Sequence, residues 1–282
     1  MAIDKRCLMT GVLQRFNPST AFSFPLFAVC CVCLIFANGA FSQTLNEEAA
    51  HPWIADAPGE FVRLIDLGNV RIVVDDEKVR QANKAALTQF AFKLSYQVRL
   101  KYAWTENGVQ TGLWKARIDA VLRAPRIKVE HKIVLPSSFQ PPNPWKSSLL
   151  SHEFDHVAIS TDPRLIKILQ RIFSRKRILL EEWKQDEMPT RDQVLSRVSA
   201  DADKDIRVCE SMLQSQYDWL DLKSVSGVSP IESRYEFFQD LYSLSGLERC
   251  QFVHLDVAKK LFEARKSLDF KDELQRHYLY LE

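Results

Sequence analysis

Residues 92–104, FKLSYQVRLKYAW, alternate between apolar and polar side chains, and this period of two predicts a half-buried β-strand. The apolar residues expected on its buried face are Leu94, Tyr96, Val98, Leu100 and Tyr102. Asn107-Gly108, just beyond the strand, is a dipeptide typical of a tight hairpin turn. A return strand is expected over 109–122 and a third strand over 126–136. The sequence therefore predicts a three-stranded antiparallel meander over 92–136.

The sequence before the meander is also predicted to be β-rich, starting at residue 60. FVRLIDLGNVRIVVDD (61–76) contains short apolar runs with β-branched residues, broken by a Leu-Gly-Asn turn signal. One short helix is predicted over 77–89. Residues 43–59 contain two prolines and little periodicity, so we expect a poorly ordered leader there.

The sequence after the meander is predicted to be helical. A proline-rich loop ends the sheet, and Asn143-Pro144 has the order of an N-cap followed by the first helical residue. The helices are expected over 144–160, 163–185, 190–222, 230–245 and 247–277. The predicted fold class is α+β, with one domain over 60–282 that is β-rich over 60–136 and helical over 143–282.

The first 42 residues have the pattern of a secretory signal peptide. A basic start is followed by an uncharged apolar run over 24–37, and the small residues Ala40 and Ser42 stand at the −3 and −1 positions of the expected cleavage site. The apolar run is shorter than the roughly 20 residues of a membrane span. We expect export to the periplasm, the envelope or the extracellular space. Membrane association is expected only if this segment stays uncleaved as an N-terminal anchor.

Charge and cysteine content narrow the function classes further. The net charge is +2 and the basic residues are scattered, so no nucleic-acid partner is expected. Four of the six cysteines lie in the leader, which leaves Cys209 and Cys250. These two residues form either one disulfide or two buried free thiols, and the sequence leaves both possibilities open.

Residues 151–162, SHEFDHVAISTD, contain the pattern H-E-x-x-H. On a helix, His152 and His156 lie one turn apart on one face, so both imidazoles can bind one Zn²⁺ at about 2.0–2.1 Å. Glu153 would flank the open coordination position, where it can accept a proton from water and return it to a leaving amine. We therefore predict His152 and His156 as zinc ligands and Glu153 as the catalytic base. The alternative interpretation is a packed amphipathic helix that carries two histidines.

This segment resembles the zincins, the zinc metallopeptidases that share such a helix and an antiparallel sheet. More narrowly, LLSHEFDHVAIS is similar to a bacterial family of predicted secreted zinc-dependent proteases, whose helix of this kind follows a short β-rich part and precedes long helices. Tyr217-Asp218 matches a Tyr-Asp pair of that family. Where the family continues with Thr and His-Gly, this chain has KSVSG at 223–227. The resemblance spans about 90–230 and implies a zincin-like fold and zinc-dependent peptidase activity.

A catalytic zinc needs a third protein ligand, which this sequence does not single out. Asp162 occupies the last position of the metzincin spacing, but it also has the position of an N-cap for the next helix. Other candidates are acidic residues on later predicted helices, namely Glu181, Glu182 and Glu210. His131 and His254 are possible ligands but stand alone in the sequence.

The sequence thus predicts an exported zinc-dependent hydrolase, within that class a metallopeptidase, which acts on a peptide or protein substrate. The substrate is expected to lie antiparallel to an edge strand at 126–135, since that strand directly precedes the helix with the histidines. One alternative is a non-catalytic envelope protein that binds a metal or a partner on a degenerate zincin scaffold. The other is a structural helical protein without metal.

Overall fold

The computed structural model describes residues 9–10, 14–15, 52–106, 113–184, 189–229, 231–264 and 277–278. The strands are β1 (Met9–Thr10), β2 (Gln14–Arg15), β3 (Val70–Val74), β4 (Leu87–Glu106), β5 (Leu113–Leu135) and β6 (Lys176–Lys184). The helices are α1 (Gly59–Gly68), α2 (Asp76–Ala82), α3 (Ser148–Ser160), α4 (Pro163–Ser174), α5 (Arg191–Ser224), α6 (Arg234–Leu241), α7 (Leu244–Arg249) and α8 (Leu255–Ala264). Two short 3-10 helices span Pro52–Asp56 and Pro144–Lys146. The predicted α+β class is confirmed.

The described strands form one sheet built around a long antiparallel pair, β4 and β5. β3 pairs in parallel with the end of β5, and β6 pairs antiparallel with its beginning. β1 and β2 each add two residues to the outer edge of β4. The pairs run from Leu87↔Val134 to Glu106↔Trp114, so the alternation of 92–104 correctly predicted a long hairpin strand.

An irregularity in the middle of the hairpin changes which residues of β5 face the helices. The register shifts between Ser95 and Gln97 of β4, and Ala124 of β5 has a left-handed φ of 48°. One extra residue in β5 reverses its alternation there, as a β-bulge does. Before the bulge the buried residues are Ala116, Ile118, Ala120 and Leu122, and after it they are Val129, His131, Ile133 and Leu135. The two predicted strands at 109–122 and 126–136 are therefore one bulged strand, and the three-stranded meander is wrong.

One hydrophobic core lies between the sheet and helices of both halves of the chain. α3 is buried on almost every side, from His152 to Ser160. α2 packs on the opposite face of the sheet, where Val79 contacts Val73 and Val134. The helix that carries both histidines is thus a central element, held between the sheet and the long α5.

The β-rich part was predicted to begin at residue 60, but the chain is helical from Gly59 to Gly68. Phe61 and Leu64 are buried three residues apart, a helical spacing, and Asn69 ends the helix in the left-handed conformation. Gly68 is required here because a Cβ atom would lie 2.7 Å from Cγ1 of Val157. The Leu-Gly-Asn signal is therefore a helix C-terminus rather than a turn between strands.

The predicted disordered leader at 43–59 is ordered in its second half. Trp53, in the first 3-10 helix, packs edge-on against Trp145 at 5.2 Å between ring centroids. The indole N–H of Trp145 also donates to the backbone carbonyl of Trp53 at 3.1 Å. Aromatic burial against the N-terminal end of α3 orders a segment that has no periodicity of its own.

The helix predicted over 163–185 ends at Ser174, and 176–184 is strand β6. Its burial alternates, with Arg177 and Trp183 buried and Ile178 and Leu180 exposed. Pairing with β5 and ion pairs from Arg177 to α5 favour the strand over the helix propensity of the segment. Further on, the helix predicted from 247 is broken after Arg249 and resumes as α8 at Leu255, and 265–276 lie outside the described residues.

Some predictions fall on residues outside the described ranges. The Asn107-Gly108 turn lies there, as does most of the predicted signal peptide. Cys209 and Cys250 are both free thiols, and burial raises the pKa of each. No helix among the described residues is long and apolar enough to span a membrane.

Candidate metal centre

The two histidines of the motif lie side by side in the interior of the protein. α3 begins after Ser147, whose hydroxyl accepts from the N–H of Leu150, and the helix runs unbroken through the motif. His152 and His156 are one turn apart, with ring centroids 4.8 Å from each other. Both side chains are only 5% exposed. Two buried imidazoles on one helical face need polar partners, and these come from α5.

Asp221, near the end of α5, is the partner that both histidines share. Its Oδ1 lies 3.0 Å from Nε2 of His152 and 3.1 Å from Nε2 of His156. The three groups offer one ligand atom each, and these atoms all lie within 4.8 Å of one another. Burial alone would raise the pKa of Asp221, but its hydrogen bonds with the two histidines and with Lys84 hold that pKa well below the ordinary value. Asp221 is therefore ionised and able to act as a ligand.

The hydroxyl of Ser224 contacts the ring nitrogen of His152 that faces away from Asp221. It lies 3.2 Å from Nδ1 of His152, 2.9 Å from the carbonyl of Leu220, and accepts from the N–H of Gly227 at 3.1 Å. Ser224 therefore holds the imidazole so that Nε2 is directed at Asp221. A histidine that binds a metal through one ring nitrogen commonly hydrogen-bonds through the other in this way.

Neighbouring groups leave the histidines little freedom to move. Gly227 lies so close to His152 that a Cβ atom there would be 2.9 Å from its Cβ and Cγ. The backbone of Gly227 has φ +83°, a conformation that glycine adopts without strain. On the other side, the ring of Tyr217 packs against His156 with centroids 4.4 Å apart. The ligand geometry is thus preorganised by α5 and the turn after it.

Glu153, between the two histidines in sequence, is a buried carboxylate held by the sheet. It is 3% exposed, and the hydroxyl of Thr88 on β4 donates to its Oε2 at 2.7 Å. The same hydroxyl lies 3.2 Å from the backbone carbonyl of Glu153. Burying a carboxylate costs free energy unless the group is hydrogen-bonded. The bond from Thr88 therefore stabilises Glu153 in its place beside the two histidines.

The sequence-based candidates for a third ligand lie elsewhere. Asp162 is the N-cap of α4 and is fully buried in an ion pair with Arg164 at 2.8 Å. Glu181 and Glu182 lie on β6, where they pair with Arg197 and Lys115 respectively. Glu210 lies on α5, three turns before Asp221, and burial raises its pKa. Among the described residues only Asp221 joins the two histidines in a three-residue cluster.

The two lone histidines noted in the sequence also contact other residues and do not join the cluster. Nδ1 of His131 donates to the carbonyl of Gly68 at 2.7 Å, and Nε2 lies 2.5 Å from the hydroxyl of Ser160. His254 lies 3.2 Å from Asp205, away from the centre. His131 is therefore a buried structural histidine, and burial lowers its pKa to about 4.

One signal in the sequence points to Asp221. Tyr217, Asp221 and Ser224 follow a spacing of four and three residues, so they share one face of a helix. That face contacts His156 through Tyr217 and His152 through Ser224. Asp218, the acidic residue in the Tyr-Asp pair, is instead exposed and bonded to Gln214. Which face of α5 meets α3 depends on packing that the sequence alone does not reveal.

The donor set suits zinc. Two imidazole nitrogens and one carboxylate oxygen are three ligands of the kinds that catalytic zinc sites use, and they leave a fourth position open. The ionised Asp221 is the protonation state that binds a metal ion.

Comparisons with known proteins gave no match: no protein-family model, no curated protein and no solved structure matches this chain.

Proposed function

We propose that this protein is an exported zinc-dependent hydrolase and, within that class, a zincin-like metallopeptidase. The observation that carries the proposal is the convergence of His152, His156 and Asp221 on a single point, with atoms within 4.8 Å of one another. His152 and Asp221 are 69 positions apart in the chain, so the fold brings the three compatible ligands together in the interior.

The proposed chemistry divides between the metal and the protein. A zinc ion at this point would polarise a water molecule and lower its pKa towards neutrality. Glu153 would act as the base that takes a proton from the attacking water and as the acid that returns it to the amine leaving the scissile peptide bond. Its hydrogen bond from Thr88 fixes Oε2, which leaves Oε1 for the proton. Burial of the carboxylate keeps bulk water from competing with this transfer.

The strand that borders the substrate in this proposal is β4 and not 126–135. Residues 131–134 pair with β4 on one side and with β3 on the other, so this part of the predicted edge lies inside the sheet, and only 126–130 have a single partner strand among the described residues. In β4, Leu87–Tyr96 pairs with no strand other than β5 among the described residues, and its second residue is Thr88. An extended peptide could add to this edge by backbone hydrogen bonds.

The side chains along this edge suit a peptide substrate. They are half-buried and apolar where they face the helices: Phe90, Phe92, Leu94 and Tyr96. Phe90 also contacts Tyr217, which packs on His156, so the apolar row leads directly to the histidines. We infer that the substrate is a peptide or an unfolded protein segment with apolar side chains.

Export is proposed from the N-terminal sequence alone, by the basic start, apolar run and small residues of the first 42 positions. The non-catalytic alternative drew its support from the lack of a recognisable third ligand. Asp221 is placed where it could supply that ligand, which weakens this support.

The experiment that tests the proposal measures zinc per chain in the purified protein, in the wild type and in His156→Ala. We expect about one zinc in the wild type and little in the variant. Glu153→Gln is expected to keep the zinc and lose cleavage of a peptide library. A wild type without zinc would refute the metal site, and zinc binding without any cleavage would favour the non-catalytic alternative.

A further inference from the structure

We propose that the short segment Lys84–Thr88, remote in sequence from the H-E-x-x-H helix, positions both the third ligand and the catalytic base. Lys84 holds Asp221 and Thr88 holds Glu153. The inference rests on the proposed function, because it assigns roles within the same centre. It adds two positioning residues that no motif in the sequence indicates.

Lys84 fixes the carboxylate of Asp221 from the side opposite to the histidines. Its Nζ lies 2.7 Å from Oδ2, while Oδ1 is the atom shared by His152 and His156. Oδ1 therefore contacts the two histidines, and Oδ2 contacts the lysine. With Oδ2 bonded to an ammonium group, Oδ1 is the oxygen that Asp221 would offer to a metal ion.

Lys84 is held in this place by the local backbone. α2 ends at Ala82 and is capped by Asn83, which has a left-handed φ of 52°, and the N–H of Lys84 donates to the carbonyl of Val79. The lysine side chain is 39% exposed and that of Asp221 is 18% exposed. A surface ion pair of this exposure adds little to fold stability. We infer that the ion pair instead orients Asp221 as a ligand. Partners of this kind, which contact a ligand and not the metal, affect metal affinity by about 10- to 100-fold.

Thr88 fixes the base in a comparable way. Its hydroxyl has one proton, which it donates to Oε2 of Glu153 at 2.7 Å. The strand around it is rigid, since Leu87 pairs with Val134 and packs against Val73 and Val79 on the other face. The hydroxyl therefore anchors the carboxylate to the sheet. Because Thr88 and Lys84 are four residues apart, one segment sets the position of the base relative to the ligand.

The first test measures zinc affinity by competition with a chromogenic chelator. We expect Lys84→Met to raise the zinc dissociation constant by about 10- to 100-fold. Lys84→Arg keeps a cationic donor and should recover most of the affinity. Lys78→Met is the matched control, because Lys78 is an exposed lysine of the preceding helix that pairs with Asp75, and this variant should bind zinc like the wild type.

The outcomes separate this inference from the proposed function. A wild type that binds no zinc refutes the function. Wild-type zinc affinity in Lys84→Met, with the wild type itself loaded, refutes the role of Lys84 and leaves the function intact. Equal losses in Lys84→Met and Lys84→Arg also refute it, provided that circular dichroism shows both variants folded, because the donor would then be irrelevant.

The second test concerns Thr88. Thr88→Val keeps the shape of the side chain and removes its donor, so zinc should stay bound while kcat on a fluorogenic peptide taken from the library falls at least about tenfold with KM unchanged. Thr88→Ser restores the hydroxyl and should restore kcat. A Thr88→Val enzyme with wild-type kcat, or a serine variant as slow as the valine one, refutes the role.

A measurement without substrate or metal completes the Thr88 test. In zinc-free protein, Thr88→Val should lower the melting temperature when Glu153 is present, because the buried carboxylate loses its donor. The same change should have a smaller effect in a Glu153→Leu background. Equal shifts in both backgrounds would show that the two side chains are not coupled.

Discussion

Oδ1 of Asp221 lies 3.0 Å from Nε2 of His152, although the two residues are 69 positions apart in the chain. An unprotonated imidazole nitrogen and a carboxylate oxygen at this separation would direct lone pairs at each other. That arrangement is stable only when a proton or a metal ion lies between them. Protons and zinc therefore compete for one place, as expected of a metal site built from histidines.

Asp221→Asn is predicted to reduce zinc affinity by more than about 100-fold, because loss of a ligand should exceed the 10- to 100-fold effect of outer-sphere changes. The amide is neutral and a weaker ligand than the carboxylate. Asp218→Asn is the matched control, since Asp218 lies on the same helix, is exposed and bonds to Gln214. Chelator competition on both variants makes the comparison, and similar affinities in the two would contradict the assignment of Asp221.

The part of the site that the sequence predicts is the part that is local. His152, Glu153 and His156 lie within one helical turn, so their spacing alone determines their mutual arrangement. Asp221 reaches the site through the packing of α5 on α3, and Lys84 through a turn before β4. Both contacts span a long distance in sequence, and no local periodicity specifies them.

The same division holds for the fold. The alternation of 92–104 predicts its strand because one face is buried or half-buried along its whole length. β6 is missed because its sequence also suits a helix, and pairing with β5 decides the outcome. α1 is missed because β-branched residues and a Gly-Asn signal suggested strands and a turn, whereas Phe61 and Leu64 bury a helical face and Asn69 caps it.

Gly227→Ala is predicted to weaken zinc binding by about tenfold or more and to destabilise the fold. A methyl group there would lie 2.9 Å from the Cβ and Cγ atoms of His152, and φ +83° is strained for alanine. His152 must shift to accept it, and outer-sphere changes of this kind cost about 10- to 100-fold in affinity. Gly59→Ala is the control, because nothing lies within 4 Å of its added Cβ. A zinc titration in which both variants match the wild type would show that Gly227 does not restrain the ligand.

The variant Asp162→Ala tests whether Asp162 serves as an N-cap of α4 or as a zinc ligand. Asp162 accepts from the N–H of Arg164, pairs with its guanidinium at 2.8 Å and accepts from the hydroxyl of Tyr278 at 2.6 Å. Burial alone would raise the pKa of Asp162, but Arg164 holds it below the ordinary value. Loss of the carboxylate leaves a buried arginine unpaired, a change that costs about 3–5 kcal/mol.

The expected result for Asp162→Ala is thus a large loss of unfolding free energy with one zinc still bound to the folded protein. Urea denaturation and zinc analysis measure the two effects separately. Tyr278→Phe, which removes one hydrogen bond, should cost only about 1 kcal/mol and also retain the zinc. Loss of zinc from folded Asp162→Ala would instead return Asp162 to the list of ligands.

The stability of the zinc-free protein is predicted to fall as pH falls below about 6.5, because of His131. Burial lowers the pKa of His131 to about 4, although its hydrogen bond to Gly68 opposes the shift, whereas the unfolded chain titrates near the ordinary value of 6.5. Between these two values the unfolded state binds the extra proton, so acid favours unfolding. Over the interval from pH 7.5 to pH 5 the loss amounts to about 2 kcal/mol.

Urea denaturation at pH 7.5 and pH 5, with a chelator present throughout, measures this slope. His131→Gln keeps hydrogen-bonding capacity towards Gly68 and Ser160 but does not titrate, so its stability should change less over the same interval. Burial lowers the pKa of His277 as well, and that histidine accounts for part of any slope that remains. If the wild type and His131→Gln lose the same stability between the two pH values, His131 is not the group that makes the fold acid-sensitive.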